Sequence, residues 1–211
     1  MGTRSAEAGD GGRTEAVAPR RGDVRARILD AARVLFYTEG IRAVSADKVI
    51  AAAGVSKVTF YRHFPTKDEL VVAYLDAIAT WERDLLEGLR DEHAGDPAGS
   101  VAALAEALGA VAGEPRFRGC AFVNAGAEYA DPEHPARAAV ARHRAWYTAF
   151  LAGLAHEAGA DDPAAAAAEL MMLRDGAMVC GDVGDADVVG PRLAAGFAAV
   201  LAAHRAAADP A

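Results

Sequence analysis

Hydroxyl, imidazole and cationic side chains are concentrated between residues 45 and 67, in the sequence SADKVIAAAGVSKVTFYRHFPTK. Ser45 and Ser56 each precede a short run with helical spacing, as N-cap residues do. Gly54 lies between the two runs, where the chain must turn sharply and a positive φ is expected. Two short helices joined in this way form a helix-turn-helix, whose second helix fits the major groove of DNA. The chemistry that the segment predicts is therefore DNA recognition.

The charge of the chain is divided in a way that agrees with this interpretation. Residues 20–70 contain ten Lys or Arg and six Asp or Glu, a net charge of +4. Because the whole chain carries −8, the remainder carries −12. A basic head can bind phosphates by releasing their counterions. An acidic body repels DNA, which helps to orient the encounter.

Helical periodicity predicts the elements that position this motif. A first helix ends at Gly40, and Pro65 ends the second helix of the motif, because the residue before proline disfavours the α conformation. Thr66 is the expected N-cap of a long fourth helix, with Glu69 completing a capping box. The helices predicted in this part of the chain cover about residues 24–39, 46–53, 57–63 and 67–90.

The rest of the chain shows helical patterns, and neither strand signals nor internal repeats are found. Further helices are predicted over about residues 100–112, 120–129, 135–158, 163–180 and 191–207, with loops at 93–99 and 181–190. The predicted fold class is all-α, with about nine helices. A three-helix head (23–69) precedes a larger ligand-binding and dimerisation domain (70–211). Residues 1–22, which include Arg20 and Arg21, lack periodicity and are predicted to form a disordered arm.

Residues 55–70, VSKVTFYRHFPTKDEL, resemble the signature of the TetR/AcrR family of transcriptional regulators, A-G-V-S-x-x-T-[LF]-Y-x-H-F-x-[ST]-K-x-x-L. The resemblance extends in register over about residues 25–72. One departure is Val58, where small residues or Pro are common, and another is the tripeptide at 48–50, Lys-Val-Ile, where Asp-Ile-Ala is common. Both departures affect which operator sequence the protein recognises, and not whether it binds DNA.

The resemblance implies a role for each polar group of the motif. Phosphates are contacted by Tyr61, His63 and Lys67, and bases by Lys57 and Val58. Thr59 contacts a phosphate or a base methyl, and Arg62 is suited to either partner. The full set of predicted DNA-binding residues is Ser45, Ser56, Lys57, Val58, Thr59, Tyr61, Arg62, His63 and Lys67.

Several of these residues have structural alternatives. Tyr61 can serve core packing alone, and His63 can be a structural cap. The core is the expected place of the other aromatic residues of the motif, Phe60 and Phe64. Two arginines of the head, Arg27 and Arg42, are interpreted as solvated surface residues.

A single helix-turn-helix offers too little contact for specific recognition, so a homodimer on palindromic double-stranded DNA is expected. The last two helices, at 164–178 and 193–203, are rich in alanine and allow close approach, as in the intermolecular four-helix bundle of the resembled family. Packing of this pair within one subunit is the alternative. Arg174, Asp175 and Arg192 are expected at the rim of the interface.

The remaining helices are expected to enclose a small-molecule pocket. Asn124 is notable because an amide within the apolar run 120–127 needs a partner, whether a backbone group, a water or a ligand. Few charges occur in these helices, which favours a largely apolar effector. The candidate ligand-binding residues are Trp81, Phe117, Phe122, Asn124, Tyr129, His143, Trp146, Tyr147, Met171, Asp175 and Met178.

Composition argues against several other classes of protein. The chain of 211 residues is 53% hydrophobic, which suffices for a core, but contains no long uninterrupted apolar span and no secretory signal. We expect a cytoplasmic protein without membrane contact, with Cys120 and Cys180 as free thiols. The histidine and cysteine spacings lack metal-site patterns, so neither metal nor cofactor is expected.

Three functions are compared. The first is a repressor that a small molecule releases from its operator. The second is a DNA-binding regulator without such an effector, controlled by a partner or by oxidation of Cys120, which follows Arg118 and Gly119. The third is an enzyme that uses His143 or Cys120. Because no nucleophile, base and orienting group can be assembled from the spacing, we expect no enzymatic activity.

Overall fold

The computed structural model describes residues 23–205. Within that range the chain forms nine α-helices, one short 3-10 helix and no β-strand, so the predicted all-α class is confirmed. The predicted N-terminal arm, residues 1–22 with Arg20 and Arg21, lies outside the described residues. The same holds for residues 206–211, into which the last helix was predicted to extend.

The helices follow the chain in the predicted order. They are α1 (Val24–Glu39), α2 (Ala46–Ala53), α3 (Lys57–His63), α4 (Lys67–Glu92), α5 (Pro97–Ala112), α6 (Ala121–Glu128), α7 (Pro135–Glu157), α8 (Pro163–Val183) and α9 (Val189–His204), with the 3-10 helix at Ala186–Val188.

Side-chain caps fix where the head helices begin. Ser45, Ser56 and Thr66 occupy the N-cap positions of α2, α3 and α4. Each hydroxyl accepts a hydrogen bond from the backbone N–H three residues on, at 3.1–3.2 Å. These bonds satisfy donors that have no partner within the helix. Gly54 has φ 62°, so the expected left-handed turn between α2 and α3 is confirmed.

Two predicted loops are shorter than expected. Asp96 caps α5 through the N–H of Gly99, and Pro97 lies in the first turn, so the helix begins inside the segment 93–99. At the second loop, α8 continues past Cys180 to Val183. Gly181 lies within this helix, and a Cβ there would come within 2.7 Å of the Ala112 Cβ and 2.8 Å of the Phe117 ring. Close packing, and not a turn, therefore explains that glycine.

The core of the head is completed by α4. Phe60 and Phe64 are buried there, as predicted. The rings of Phe36 on α1 and Tyr74 on α4 meet edge to face, with centroids 5.6 Å apart. Since α4 runs unbroken from Lys67 into the body, it belongs to both parts, and the division between residues 69 and 70 stays a prediction.

The body is a helical bundle in which α7 packs on α4 and α8, and α9 packs on α5 and α8. The short helix α6 lies against α7. Helices α5 and α9 approach most closely at two glycines. A Cβ at Gly109 would lie 2.6 Å from the Cα of Gly190, a distance that real side chains do not reach.

We predict that Gly109→Ala lowers the free energy of unfolding by about 1–3 kcal/mol, because the added methyl overpacks the α5–α9 contact. Gly88→Ala is the matched control, since nothing lies within 4 Å of a Cβ at that helical position. The control should raise the free energy of unfolding by about 0.5–1 kcal/mol. Urea unfolding of both variants measures the difference, and equal effects would contradict the close approach.

Candidate functional site

One face of α3 is open to solvent and carries four of the residues predicted to bind DNA. Lys57, Val58, Tyr61 and Arg62 are exposed, while Phe60 on the opposite face is fully buried. The side chain of Val58 is 79% exposed, although it is apolar. A side chain in that position contributes little to the core and is available to a partner. This face, called the α3 face below, combines apolar, phenolic and cationic groups that suit base and phosphate contacts.

The hydroxyl residues of the motif stand beside this face. Ser45 and Ser56 act as caps, and the Ser56 hydroxyl lies 2.8 Å from that of Thr59. His63, at the end of α3, is partly buried. Of the two predicted alternatives for Tyr61, core packing alone does not fit, because its side chain is 40% exposed.

Lys67 has a partner that its sequence position did not reveal. Its ammonium donates a hydrogen bond to the backbone oxygen of Ile41 at 2.6 Å and lies 5.9 Å from the centre of the Phe36 ring. Burial lowers the pKa of Lys67 below its usual value. An ammonium has three N–H donors. Lys67 therefore holds the segment between α1 and α2 (residues 40–45), called the α1–α2 corner below. A phosphate contact from the other N–H groups of Lys67 stays a prediction.

The interpretation of Arg27 as a solvated residue is wrong. Its guanidinium donates to the backbone oxygens of Ala53 and Gly54, at 2.7 and 3.0 Å. These carbonyls end α2, so Arg27 ties α1 to the turn of the helix-turn-helix. Sequence spacing does not reveal this bond because the partners are 26 and 27 residues apart.

The head is joined to the body by Glu128, at the end of α6. Its carboxylate accepts hydrogen bonds from the backbone N–H groups of Ile41 and Arg42, at 2.9 and 2.6 Å. The Arg42 guanidinium also donates to the backbone oxygen of Glu128 at 3.4 Å. Arg42 is exposed, as expected, but is held by these bonds. We call the contact of Glu128 with Ile41 and Arg42 the Glu128 clamp.

A second link lies at the start of α6. The Tyr37 hydroxyl donates to the backbone oxygen of Gly119 and accepts from the backbone N–H of Arg118, both at 2.9 Å. The Arg118 guanidinium donates to the backbone oxygen of Thr38 at 2.9 Å. Burial raises the pKa of Tyr37, so the phenol keeps the proton that it donates. The segment containing α6 is therefore bonded to the end of α1 and to the α1–α2 corner.

A cluster of polar side chains lies inside the body, where α4, α7 and α8 meet. Glu82 on α4 receives hydrogen bonds from His143 Nε2 at 2.7 Å and from Arg174 Nη2 at 3.1 Å. The Arg174 guanidinium lies over the Tyr147 ring, 5.0 Å from its centre. The group formed by Glu82, His143, Tyr147 and Arg174 is called the polar cluster below.

The charges in the polar cluster stabilise each other. Burial acts to raise the pKa of Glu82, but the His143 hydrogen bond and the Arg174 charge together lower it, so the carboxylate is ionised. Burial raises the pKa of Tyr147, whose hydroxyl stays protonated. Arg174 is only 2% exposed. Its expected place at the rim of a dimer interface is therefore wrong.

The other predicted ligand-binding residues are divided between interior and surface. Three of them, on α6 and α8, are buried: Phe122, Met171 and Met178. Five are partly buried: Phe117, Asn124, Tyr129, Trp146 and Asp175. Trp81 is 59% exposed and does not line the interior. Among the three partners considered for the Asn124 amide, the structure gives a backbone group, the oxygen of Arg118 at 2.6 Å.

Two depressions are evident in the described part of the chain. A groove of about 850 Å³ runs between head and body, and its lining includes His63 and the charged residues Arg25, Asp68, Glu69 and Asp76. A smaller cavity of about 250 Å³ lies among α5, α7 and α9. The predicted ligand-binding residues line neither of them. Sequence patterns did not indicate the groove, since it combines residues of four helices.

The outward faces of α8 and α9 are largely uncharged. Met172, Gly176, Val179 and Val183 follow each other at helical spacing along α8 and are all exposed. We call them the α8 stripe. Cys180, an exposed free thiol, lies beside it, whereas Cys120 is buried. An apolar stripe of this length suits contact with another protein surface.

Among residues 23–205, no group of three or more His, Cys, Asp or Glu side chains is arranged to hold a metal ion. By length and composition alone, Ala186–His204 is apolar enough to cross a membrane. One such helix is a weak indication by itself, and 22% of the apolar window is buried in the body, including Leu193 and Phe197.

The chain is similar to known regulators over its head and over most of its length. Residues 28–74 match the model of the bacterial regulatory proteins of the tetR family. A TetR-family transcriptional regulator from Streptomyces coelicolor is 40% identical, with 87% of this chain and 96% of that chain aligned and a TM-score of 0.83. A TetR transcriptional regulator from Streptomyces avermitilis is 29% identical, over 84% of this chain and 98% of that one, with a TM-score of 0.70.

The curated relatives match only part of the chain. The HTH-type transcriptional regulator TtgR of Pseudomonas putida is 33% identical over 82 residues, which are 39% of each chain. This match therefore spans about two fifths of that relative's length.

We predict that Arg62→Ala weakens DNA binding and reduces the magnitude of the slope of log K against log salt by about 0.9 for each bound subunit, the value for one lost phosphate contact. Arg142→Ala is the control, because Arg142 is an exposed arginine of the body whose ion pair with Asp76 lies at the surface. Fluorescence anisotropy with duplex DNA at several salt concentrations gives both slopes. An unchanged affinity and slope for Arg62→Ala would remove this residue from the interface.

Proposed function

Because this chain belongs to the TetR family of bacterial regulatory proteins, we propose that it is a sequence-specific transcriptional repressor. In this proposal it acts in the cytoplasm as a homodimer, binds a palindromic operator, and is released by a small, largely apolar molecule. The observation that carries the proposal is the α3 face, which is exposed, cationic and apolar at once and lies inside the segment that matches the family. We infer no enzymatic activity, metal or cofactor.

Dimerisation in this proposal uses α8 and α9. The α8 stripe is supported as the contact by its exposure, with Val179 at 51% and Val183 at 77%. Burial of such side chains between two subunits contributes about 25 cal/mol for each Å² of apolar surface removed from water. Two heads held by one rigid interface can match two half-sites about one helical turn of DNA apart.

Release requires a path from the body to the head, and we propose that α6 provides it. Helix α6 packs on α7 next to the polar cluster, and its Glu128 clamp holds the α1–α2 corner. An effector that moves α6 or α4 would therefore change the position of the α3 face. The effector must bind the released conformation more tightly than the DNA-bound conformation, or it shifts nothing.

A regulator without a small-molecule effector is the second candidate. It is favoured by one observation, that the predicted ligand-binding residues line neither the groove nor the smaller cavity. Control by a partner protein or by oxidation would then replace the effector. Of the two thiols, the exposed Cys180 is open to oxidants, whereas Cys120 is buried.

The proposal is tested by gel shift with the DNA upstream of the gene for this chain, at two salt concentrations and with nonspecific competitor. We expect a saturable, salt-sensitive complex for the unaltered protein. Val179→Asp should give a monomer and lose the complex, because a charge in the α8 stripe opposes burial at the interface. Sedimentation measures the oligomeric state.

Val34→Asp is the matched control, since Val34 is equally exposed, at 50%, but lies on α1. It should leave the dimer intact. A Val179→Asp protein that remains dimeric at the same concentrations would remove the α8 stripe from the interface. Absence of any specific complex for the unaltered protein would exclude control of its own promoter.

The role of α6 gives a further prediction. Glu128→Gln removes the negative charge from the Glu128 clamp and leaves one acceptor oxygen for two N–H donors. We expect faster amide hydrogen exchange at Ile41 and Arg42 and about tenfold weaker operator binding, because bonds to charged groups are worth about 1.5–3 kcal/mol. Sedimentation should show an unchanged dimer.

Glu133→Gln provides the comparison, since Glu133 is an exposed carboxylate in the loop that follows α6. This change should alter neither the exchange rates nor the operator affinity. If Glu128→Gln behaves like Glu133→Gln, the Glu128 clamp does not position the head.

A further inference from the structure

An exposed ion pair joins the two helices of the helix-turn-helix. Lys57, the first residue of α3, donates a hydrogen bond from Nζ to Oδ1 of Asp47 at 3.2 Å. Asp47 lies in the first turn of α2. We propose that this pair reads one G·C base pair in each half of the operator, with Lys57 on the guanine and Asp47 on the cytosine. The inference rests on the proposed function and adds to it a base-reading residue and one base pair of the operator.

The head does not need this ion pair for its packing. The side chains of Lys57 and Asp47 are 64% and 74% exposed, and exposed ion pairs contribute little to stability. Lys48, the neighbour of Asp47 in the chain, is paired with Glu39 of α1 instead. Both members of the Lys57–Asp47 pair are therefore open to a partner outside the protein.

The pair lies at the end of the motif that faces the bases. In helix-turn-helix proteins the N-terminal residues of the second helix contact base edges in the major groove. In this chain those residues are Lys57 and Val58, and the Val58 side chain is exposed on the α3 face. Because Asp47 Oδ1 is 3.2 Å from Lys57 Nζ, a base edge that receives the ammonium also comes close to the carboxylate.

The hydrogen-bonding groups of the ion pair match a G·C base pair and not an A·T base pair. In the major groove a G·C pair presents guanine N7 and O6, which are acceptors, and then cytosine N4, a donor. The Lys57 ammonium keeps two N–H donors while it bonds to Asp47, and the carboxylate only accepts. An A·T pair presents adenine N7, an acceptor, then adenine N6, a donor, and thymine O4, an acceptor. Its second and third groups would therefore oppose like groups of Lys57 and Asp47.

The separation of the two charged groups also fits a G·C pair. Guanine O6 and cytosine N4 are hydrogen-bonded to each other within the base pair, so they lie about 2.9 Å apart. Lys57 Nζ and Asp47 Oδ1 are 3.2 Å apart, so each can face its own base atom without breaking the ion pair. Cytosine N4 has a second N–H, which is free in the groove for the carboxylate.

The charges of the pair suit it to selecting a sequence more than to raising affinity for all DNA. A lysine without a partner would bind any phosphate within reach, and a carboxylate without a partner would be repelled by phosphates. Together, Lys57 and Asp47 have no net charge, so their contribution depends on the base pair that they meet.

The first test is the selection of bound duplexes from a pool of random sequence by the unaltered protein, Asp47→Ala and Glu39→Ala. We expect the unaltered protein to enrich a palindrome with a fixed G·C pair in each half. Asp47→Ala should enrich the same palindrome with that base pair no longer fixed. It should also bind unrelated duplex DNA more tightly, because Lys57 is then free to contact phosphates.

Glu39→Ala is the matched control, since it also removes a carboxylate of the head from an ion pair with a lysine of α2. It should enrich the same sequence as the unaltered protein. Both substituted side chains belong to exposed ion pairs, so the Tm of either variant should differ from that of the unaltered protein by less than about 4 °C.

The second test removes the amino group that Asp47 is proposed to contact. In the selected duplex, the cytosine that pairs with the fixed guanine is replaced by 2-pyrimidinone, which lacks N4. The unaltered protein and Glu39→Ala should bind this duplex about tenfold more weakly than the original. Asp47→Ala should bind the two duplexes equally. An equal loss for all three proteins would overturn the contact between Asp47 and cytosine.

A purely electrostatic role for Asp47 gives a different result. A cation at the start of a helix is unfavourable, and Asp47 offsets the charge of Lys57 there. If this were its only role, Asp47→Ala would change the salt dependence of binding and leave the selected sequence unaltered, which would overturn the inference.

The selection also distinguishes failure of this inference from failure of the proposed function. A palindrome whose G·C pair depends on Asp47 would support both. A palindrome that is the same for the unaltered protein and Asp47→Ala would support the proposed function and overturn the inference. Absence of any enriched sequence for the unaltered protein would contradict sequence-specific binding itself, and the inference with it.

Discussion

The orientation of the head depends on one buried charge interaction, the pairing of Glu82 with Arg174. It joins α4, which begins in the head, to α8, which carries the outward apolar stripe. His143 on α7 donates to the same carboxylate, so three helices meet at one acidic group. Loss of either charge would leave the other buried and unpaired, at a cost of about 3–5 kcal/mol. This makes the meeting point a fixed reference for α4.

From this reference, two connections reach the DNA-binding face. The first is α4 itself, which runs unbroken for 26 residues and contributes Tyr74 to the core of the head. The second is α6, which is stacked on His143 through Phe122 and bonded to the α1–α2 corner through Glu128. Because both connections start at the polar cluster, a change there acts on the head through two routes. The first route is stiff, and the second depends on a few hydrogen bonds.

Local interactions made much of the fold predictable. Cap residues such as Ser45, Ser56 and Thr66 act on N–H groups three residues away, and Gly54 shows the positive φ that the turn requires. The α3 face follows from the spacing within one short helix. Family identity was predictable for the same reason, since the signature residues are contiguous.

Contacts between distant parts of the chain were not predictable. Arg27 was interpreted as a surface residue, yet its acceptors lie at the end of α2. Arg174 was expected at the rim of a dimer interface, together with Asp175 and Arg192. Its burial depends on Glu82, 92 residues away, which the sequence analysis did not single out. The Glu128 clamp was missed because its acceptor and donors are 86 and 87 residues apart.

The energies involved suit the polar cluster to regulation. An effector typically changes the affinity of a second site by about 1–3 kcal/mol. A hydrogen bond to a charged group, such as those that the Glu82 carboxylate accepts, is worth a similar amount, about 1.5–3 kcal/mol. In the conformation described here the Phe122 ring covers one face of His143. A displacement of Phe122 from this contact would move α6 and, with it, the Glu128 clamp on the α1–α2 corner. The contact between α6 and the polar cluster is therefore the place where a structural change in the body would be passed to the head.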